Sequence, residues 1–340
     1  MSLTTRAVSV CSSYKNRGTS VKLVQSRMSY QSDPDKLWRA VAVGDADLCL
    51  DLLKRHHQIP GYVDFQGERR STTPLCCAIQ YSYLALTYEK DGPLGHFLLV
   101  VKHLLDYGAD ASVVSNDGST ALHCAVMYTH TNEFMHLLFA NSPDLDVNVK
   151  VDGRTPLMVV ISDTCNHREI YKDRIYKDRV LALLEHGAHV DTVDMHGNSL
   201  LHQICTVDEW TLNTLEKYNV DINRRGQFGR TPIHHALNEE RDTMYWAARD
   251  NNEYVCDTDT IDLLLSHGAN IYITDDAGRS AEQFAMFLFP EDHPIRELFA
   301  MYTRRMAFAM GTHRLTNPDC LVQVLPTEVV QIINSYLYPN

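Results

Sequence analysis

The chain has 340 residues and a formal net charge of −12, with acids and bases spread along it rather than clustered. No basic stripe is present to neutralise phosphates, which argues against a nucleic-acid partner, and no apolar run reaches the roughly 18 residues that would read as a membrane span. The nine cysteines are odd in number and form no C-x-x-C pair, so they read as reduced thiols of the cytosol or nucleus rather than a disulfide framework; Cys124 and Cys205 are expected in the core.

Residues 1–32 stand apart. They carry Arg6, Lys15, Arg17, Lys22 and Arg27, many serines, and no acid before Asp33. Without an apolar centre this is no secretory signal. It reads either as a disordered arm or as a transit peptide, which shares the Arg/Ser-rich, acid-poor composition. A first helix pair is expected from Leu37, Ala40 and Val41, then Leu48, Leu50 and Leu53, and the segment Tyr62–Arg70 leads to Thr73-Pro74-Leu75.

From there one phrase recurs. Thr73-Pro74, Thr120-Ala121, Thr155-Pro156, Ser199-Leu200, Thr231-Pro232 and Ser280-Ala281 each place an N-cap residue before a helix start, and proline just inside a helix gives up only an N–H that has no partner there. Leu104-Leu-Asp-Tyr-Gly108, Leu183-Leu-Glu-His-Gly187 and Leu264-Leu-Ser-His-Gly268 each close a helix on a glycine suited to a left-handed cap. Between start and stop there is room for two short helices. Each is apolar on one face, so a single pair cannot bury its own Leu and Val side chains, and neighbouring pairs must stack.

The opening Thr-Pro-Leu-His and the closing Leu-Leu-x-x-Gly-Ala-Asp resemble the ankyrin repeat. The resemblance covers roughly residues 33 to 300 and implies an all-α solenoid of about seven helix-turn-helix units with short β-hairpin arms. The expected division is a basic arm over 1–32, an array over 33–302 and a C-terminal helical segment over 303–340. The opening Thr or Ser falls at 73, 120, 155, 199, 231 and 280. Against a family period of about 33, alternate units therefore carry insertions, near Tyr81–Gly92, Asp163–Lys177 and Glu239–Asp259, between first and second helix. Helices there are expected to be lengthened or capped by loops. The second insertion holds the tandem Ile170-Tyr-Lys-Asp-Arg174 and Ile175-Tyr-Lys-Asp-Arg179, read as slippage of the coding sequence or as a charged helix extension. The third is acidic and contains Tyr245 and Trp246, which either anchor a basic partner or fold back on their own helices.

In the last unit Phe284, Phe287, Ile295, Leu298 and Phe299 follow Arg279-Ser280-Ala281. The tail Leu325-Pro326-Thr-Glu328-Val-Val330-Gln-Ile-Ile333-Asn-Ser-Tyr-Leu337 reads as a short helix with a broad apolar face. It looks like the opening of an F-box over thirteen residues; the sequence then ends, so the later F-box helices are not expected. Such tails follow ankyrin arrays in poxviral ankyrin proteins, where they recruit the adaptor of a cullin ubiquitin ligase. The other reading is a helix that covers the last unit.

The remaining signals point away from chemistry. His123, His202 and His234 occupy the last place of the Thr-Pro-Leu-His phrase, and in the family that ring bonds the Thr hydroxyl and the next unit's backbone. Cys165 and His167 lack a second pair for zinc. H-E-x-x-H, G-x-S-x-G, G-x-G-x-x-G and P-loop motifs are missing, so no enzyme, cofactor or metal is expected. The resemblance implies protein binding through arm tips and the inner-helix groove, with tips by register at Asn116, Lys150, Met195, Phe228 and Asp275. The apolar Phe228 and Met195 are either the anchors or packed on neighbouring arms. Leu215 followed by Asp221-Ile222-Asn223 matches the pattern that asparaginyl hydroxylases modify in ankyrin arms. The expected function is a non-enzymatic adaptor or scaffold in the cytoplasm or nucleus, with an organelle as the alternative the N-terminus leaves open. The alternative function is a substrate receptor docking a ligase adaptor through Leu325, Pro326, Glu328, Val330, Ile333 and Leu337.

Overall fold

The computed structural model describes residues 33–66, 72–88, 94–129, 131–163, 174–203, 208–249, 256 and 258–304. The basic arm, Cys165, His167, Cys205 and the whole F-box-like segment lie outside them. Among the described residues the regular structure is helical, with isolated antiparallel bridges at Val151–Arg154 and Thr274–Ser280 and no strand.

Eight helices belong to the first of two compact units, which divide between His196 and Gly197. They are α1 (Asp33–Val43), α2 (Ala46–His56), α3 (Pro74–Tyr88), α4 (Leu94–Asp106), α5 (Ala121–Tyr128), α6 (Glu133–Asn141), α7 (Pro156–Asp163) and α8 (Arg174–Glu185). The first helices of successive pairs pack in a row, α1 on α3 on α5 on α7, and the second helices follow as α2 on α4 on α6. The second unit holds a 3-10 turn (Leu200–Gln203), α9 (Glu209–Glu216), α10 (Pro232–Arg249), α11 (Asp259–Ser266) and α12 (Ala281–Leu288), and α10 packs on the 3-10 turn, α11 and α12. Residues 294–304 are helical as well.

Starts and stops are made by the residues that announced them. Thr73, Thr120 and Thr155 accept the backbone N–H three residues on at 3.2–3.3 Å, and Ser280 forms a full capping box with Gln283. At the C-termini, Gly108, Gly187 and Gly268 sit at φ +87 to +89°. Their N–H groups donate to Leu105, Leu184 and Leu265, and the alanines after them donate to Leu104, Leu183 and Leu264. This is the Schellman pattern, which satisfies carbonyls the helix leaves open. Asn219, at φ +60°, does the same work after α9.

The core lies between the two rows of helices: Leu37, Leu53, Leu75, Val100, Leu104, Leu122, Leu138 and Leu183 in the first unit, and Leu212, Ile233, Leu237, Leu264 and Phe284 in the second, are buried. Insertions are partly absorbed as helix. Against eight residues in α5 and α12, α3 has 15 and α10 has 18. At 1.5 Å per residue, the extra turns project about 10 and 15 Å beyond the standard helix end.

The tandem duplication gives its two copies different roles. Arg174 is exposed, within 3.9 Å of Asp178. Arg179 is buried and reaches into the end of α5, where Nη1 donates to the Val126 carbonyl at 2.9 Å, Nη2 to the Thr129 carbonyl, and Nε to Asn132 Oδ1 at 3.0 Å. A cation placed on the last carbonyls of a helix suits both hydrogen bonding and the helix dipole. The five-residue phrase is thus more than a charged extension.

Candidate protein-binding surface

The histidines act first on geometry. In the first unit, His123 Nδ1 lies 2.7 Å from Thr120 Oγ1 and Nε2 3.2 Å from the Arg154 carbonyl. In the second, His202 spans Ser199 Oγ (2.8 Å) and the Arg230 carbonyl (2.9 Å), and His234 spans Thr231 Oγ1 (2.8 Å) and the Arg279 carbonyl (3.3 Å). A carbonyl can only accept, so Nε2 carries the proton and Nδ1 takes the hydroxyl's. Each ring therefore ties its own helix start to the next arm. Burial drives the His123 pKa down to about 4, and lowers His234 as well, the Arg279 carbonyl opposing it. Both rings are neutral structural latches, and all three bonds land on an arginine that follows a Gly.

The arms are hairpin turns. Ser115, Gly226 and Asp275 donate N–H bonds to the carbonyls of Ser119, Arg230 and Arg279 at 2.7–2.9 Å, closing three-residue loops whose last member is glycine. The arm at Val151 differs. Val151 and Arg154 exchange both bonds, at 2.8 and 3.0 Å, around Asp152 and Gly153 at φ +48 and +80°. Two positive φ values in a two-residue loop make a type I′ turn. A Cβ on Gly153 would stand 2.6 Å from the Met195 backbone nitrogen.

These loops sort the tip residues. Asn116, Met195 and Phe228 are exposed, with Met195 at 63% and Phe228 at 61%, so neither apolar residue is packed away on a neighbouring arm. The Asn116 N–H donates to Gln66 Oε1 at 2.8 Å. Lys150 precedes the shortened loop and its Nζ donates to the Val193 carbonyl at 2.6 Å, so it braces the next arm. Asp275 does not stand at a tip. It is 4% exposed, one oxygen accepting the N–H groups of Ala277 and Arg279 and the other the Arg279 guanidinium at 2.8 Å. Burial tends to raise its carboxyl, but these bonds outweigh it and hold the pKa below its ordinary value. The exposed positions of that loop are Asp276, Ala277 and Gly278.

Phe228 has a non-glycine φ of +59°, a true outlier for a bulky residue and a strain on the order of 1–3 kcal/mol. It is held there by Asp276, whose N–H donates to the Phe228 carbonyl at 2.8 Å. Its ring lies over Arg230, 5.5 Å from guanidinium carbon to ring centroid. Arg230 also lies over Phe284 at 5.0 Å, and Arg279 over Phe284 at 4.8 Å and over Phe287 at 5.4 Å. Phe287 is 72% exposed. Desolvation, with the like charges of Arg279 and Arg241, pushes the Arg230 pKa down against the pull of Asp275. Sequence reasoning missed Arg230, Arg279 and Phe287 as site residues. The signal was present in the Gly-Arg-Thr/Ser triplets at 153–155, 229–231 and 278–280.

Tyr245 and Trp246 ride the lengthened α10 rather than a loop. They meet edge to face at 5.5 Å, Arg249 lies 4.1 Å over Trp246, and both rings stay exposed instead of folding back. Asn223 bridges to the next helix end: Nδ2 donates to the Gly268 carbonyl at 3.1 Å and Oδ1 accepts the Asn270 N–H at 2.6 Å. Asn148 makes the same pair of bonds with Gly187 and His189. Among the described residues no group of His, Cys, Asp and Glu is arranged to hold a metal, and no helix is long and apolar enough to cross a membrane.

Two segments match family profiles, residues 94–194 as ankyrin repeats in three copies and residues 228–276 as a single ankyrin repeat. The chain carries ankyrin repeats. The ankyrin repeat domain of Bcl-3, described as a unique member of the IkappaB protein family, superposes with a TM-score of 0.55 at 19% identity, over 78% of this chain and 97% of that one. The human ASB11 ankyrin repeat domain gives 0.54 at 18%, over 78% and 96%. These likenesses establish an all-α ankyrin fold. Among curated proteins, the human neurogenic locus notch homolog protein 2 is 34% identical over 108 residues, 32% of this chain and 4% of its own length. The ankyrin repeat protein OPG189 of Variola virus is 24% identical over 138 residues, 38% of this chain and 23% of its own length. The chain thus spans only a small part of these relatives.

Proposed function

We propose that this chain is a non-enzymatic protein-binding module, an adaptor or scaffold whose partner is a polypeptide. Ankyrin repeats generally mediate protein–protein interaction, but a fold does not name its partner, so the reading rests on side chains. The observation that carries it is Phe228, a large aromatic kept in a strained backbone conformation and left open to solvent. Strain of that kind persists where surrounding structure imposes it and tends to mark binding sites, and rigid aromatics are the commonest anchors of interfaces. Phe287, Met195, Tyr245 and Trp246 are further exposed anchors. The test is affinity capture from cells with the full chain against Phe228→Ala and Met195→Ala, checked for equal thermal stability. A protein retained by the parent and lost with Phe228→Ala supports the reading. Identical captured sets from parent and variants would overturn it.

A second function is supported by sequence alone. We infer that Leu325, Pro326, Glu328, Val330, Ile333 and Leu337, in their F-box-like spacing, dock the adaptor of a cullin-type ubiquitin ligase, making the array a substrate receptor. Recovery of cullin-ligase subunits that fails with Val330→Asp and Ile333→Asp supports it; recovery that is independent of both ends it. Asn223 is in addition a proposed acceptor for asparaginyl hydroxylation, read as one added oxygen on its peptide.

A further inference from the structure

The surface around Phe228 has a chemistry that says what kind of partner it fits. Five side chains form a continuous row in the second unit, Phe228, Arg230, Phe284, Arg279 and Phe287, with each guanidinium between two rings at 4.8–5.5 Å. Both arginines are set from behind, His202 and His234 donating to their carbonyls. The backbone that carries both arginines is therefore fixed before anything binds, which removes part of the cost of association.

The charges in the row are unequally matched. Arg279 is answered by Asp275, Nε at 3.1 Å and Nη2 at 2.8 Å from Oδ2, and the other Asp275 oxygen is taken by backbone N–H groups. Arg241 is answered by Asp242, at 3.0 and 2.6 Å. Arg230 makes no ion pair among the described residues, and its Nε is buried without a hydrogen-bond partner. The rings lie over the guanidinium, its donors lie in its plane, and with Nε buried the edge left open is that of the two Nη groups. The group that fits such an edge is a planar oxyanion taken by two parallel bonds.

Resting on the protein-binding reading, we propose that this row is a receptor for a carboxylate-bearing segment of the partner protein. The acid pairs with Arg230 while apolar side chains on either side of it lie against Phe228 and Phe287. Two exposed rings at the ends of the row call for apolar groups flanking the acid, which a peptide supplies and a lone small carboxylate does not. Single-stranded nucleic acid also stacks on aromatic and guanidinium planes, but a polymer with one charge per nucleotide meets a chain of net charge −12. One carboxylate seated in contact is governed by the guanidiniums beside it, since the wider field is screened beyond about 8 Å at physiological salt.

The test pans a randomised short-peptide phage library on the full chain, then measures the enriched peptide by fluorescence anisotropy. Enriched sequences are expected to hold one Asp or Glu flanked by Phe, Leu or Trp. Arg230→Met, and replacement of the peptide acid by its amide, should each weaken binding by at least about tenfold, with little further loss when combined. Arg230→Lys should recover only part, because it restores charge without the fork. Thermal melting and circular dichroism confirm that each variant is folded. Peptides without an acid, or equal affinity for Arg230→Met, would overturn the proposal, as would a labelled single-stranded oligonucleotide binding more tightly than the peptide. Binding lost with Phe228→Ala but kept with Arg230→Met would remove the carboxylate receptor and leave protein binding standing. No enrichment over the bare support would also remove the carboxylate receptor, while the protein-binding reading stands or falls by affinity capture.

Discussion

The histidine latch sets how the array responds to acid. Free His123 would titrate near 6.5, and burial lowers it to about 4 in the folded chain. Above pH 6.5 the ring is neutral folded or unfolded, and its contribution is complete. As pH falls below 6.5 the unfolded chain takes a proton that the folded chain refuses, so stability is lost between about 6.5 and 4 and levels off beneath, by roughly 3 kcal/mol for this group. The lowered His234 acts in the same direction. Urea midpoints of the full chain should therefore drop across that window, and His123→Gln, less stable at neutral pH, should show a flatter slope. Arg179 gives a second expectation. Its three nitrogens bond five oxygens between the end of α5 and the start of α6, and hydrogen bonds to a charged group contribute about 1.5–3 kcal/mol each, with the orphaned carbonyls adding to the loss. Arg179→Met should destabilise by about 3 kcal/mol or more, whereas Arg174→Met, in an exposed pair, should change stability by less than about 0.5 kcal/mol. Phe228→Asn reverses the usual sign. Asparagine tolerates a left-handed backbone better than phenylalanine, so denaturation should show unchanged or higher stability while partner capture is lost.

Among elements, the lengthened α10 invites a direct comparison. Its extra turns carry Tyr245 and Trp246 in the open, and surface positions away from special features change stability by no more than about 0.5 kcal/mol. Tyr245→Ala with Trp246→Ala should therefore leave the melting temperature nearly unmoved. If the pair anchors a partner, the same variant should lose capture, and a large drop in melting temperature would instead mark the rings as structural. The helix boundaries were legible in the chain because they are local. Thr120, Gly187 and Ser280 make their capping bonds within a few residues, so the phrase and the structure coincide. The insertions were legible as length, but a lengthened helix and a loop have the same count, and among the described residues α3 and α10 show helix extended into them. Tip assignment shifted at Lys150 because Asp152-Gly153 closes a two-residue turn, and failed at Asp275 because that residue is the base of a three-residue loop, the place Ser115 takes before Asn116, so register moved by one residue exchanges a base for a tip. The aromatic–guanidinium row was out of reach for another reason: Phe228, Arg230, Arg279, Phe284 and Phe287 come from two arms and one helix, and stacking of successive repeats brings them together.

For the whole molecule, the physics of stacked repeats predicts stability shared between neighbours rather than held in one core. The chain resolves into two compact units that divide between His196 and Gly197, each with its own buried leucines, the first with the His123 latch and the second with those of His202 and His234. Local opening then has a place to stop. In native-state hydrogen exchange, Arg179→Met should lower protection in α5 through α8 and leave α10 through α12 close to the parent. The converse variant is Leu264→Ala. Leu264 is 2% exposed and its carbonyl accepts the Ala269 N–H that caps α11, so truncation should cost about 2–4 kcal/mol. Its effect should appear in α10 through α12 and spare α3 through α6. Equal loss of protection across both units from either variant would show one cooperative structure, and would remove the basis for treating the Phe228 surface as a site that folds, and is tuned, within the second unit.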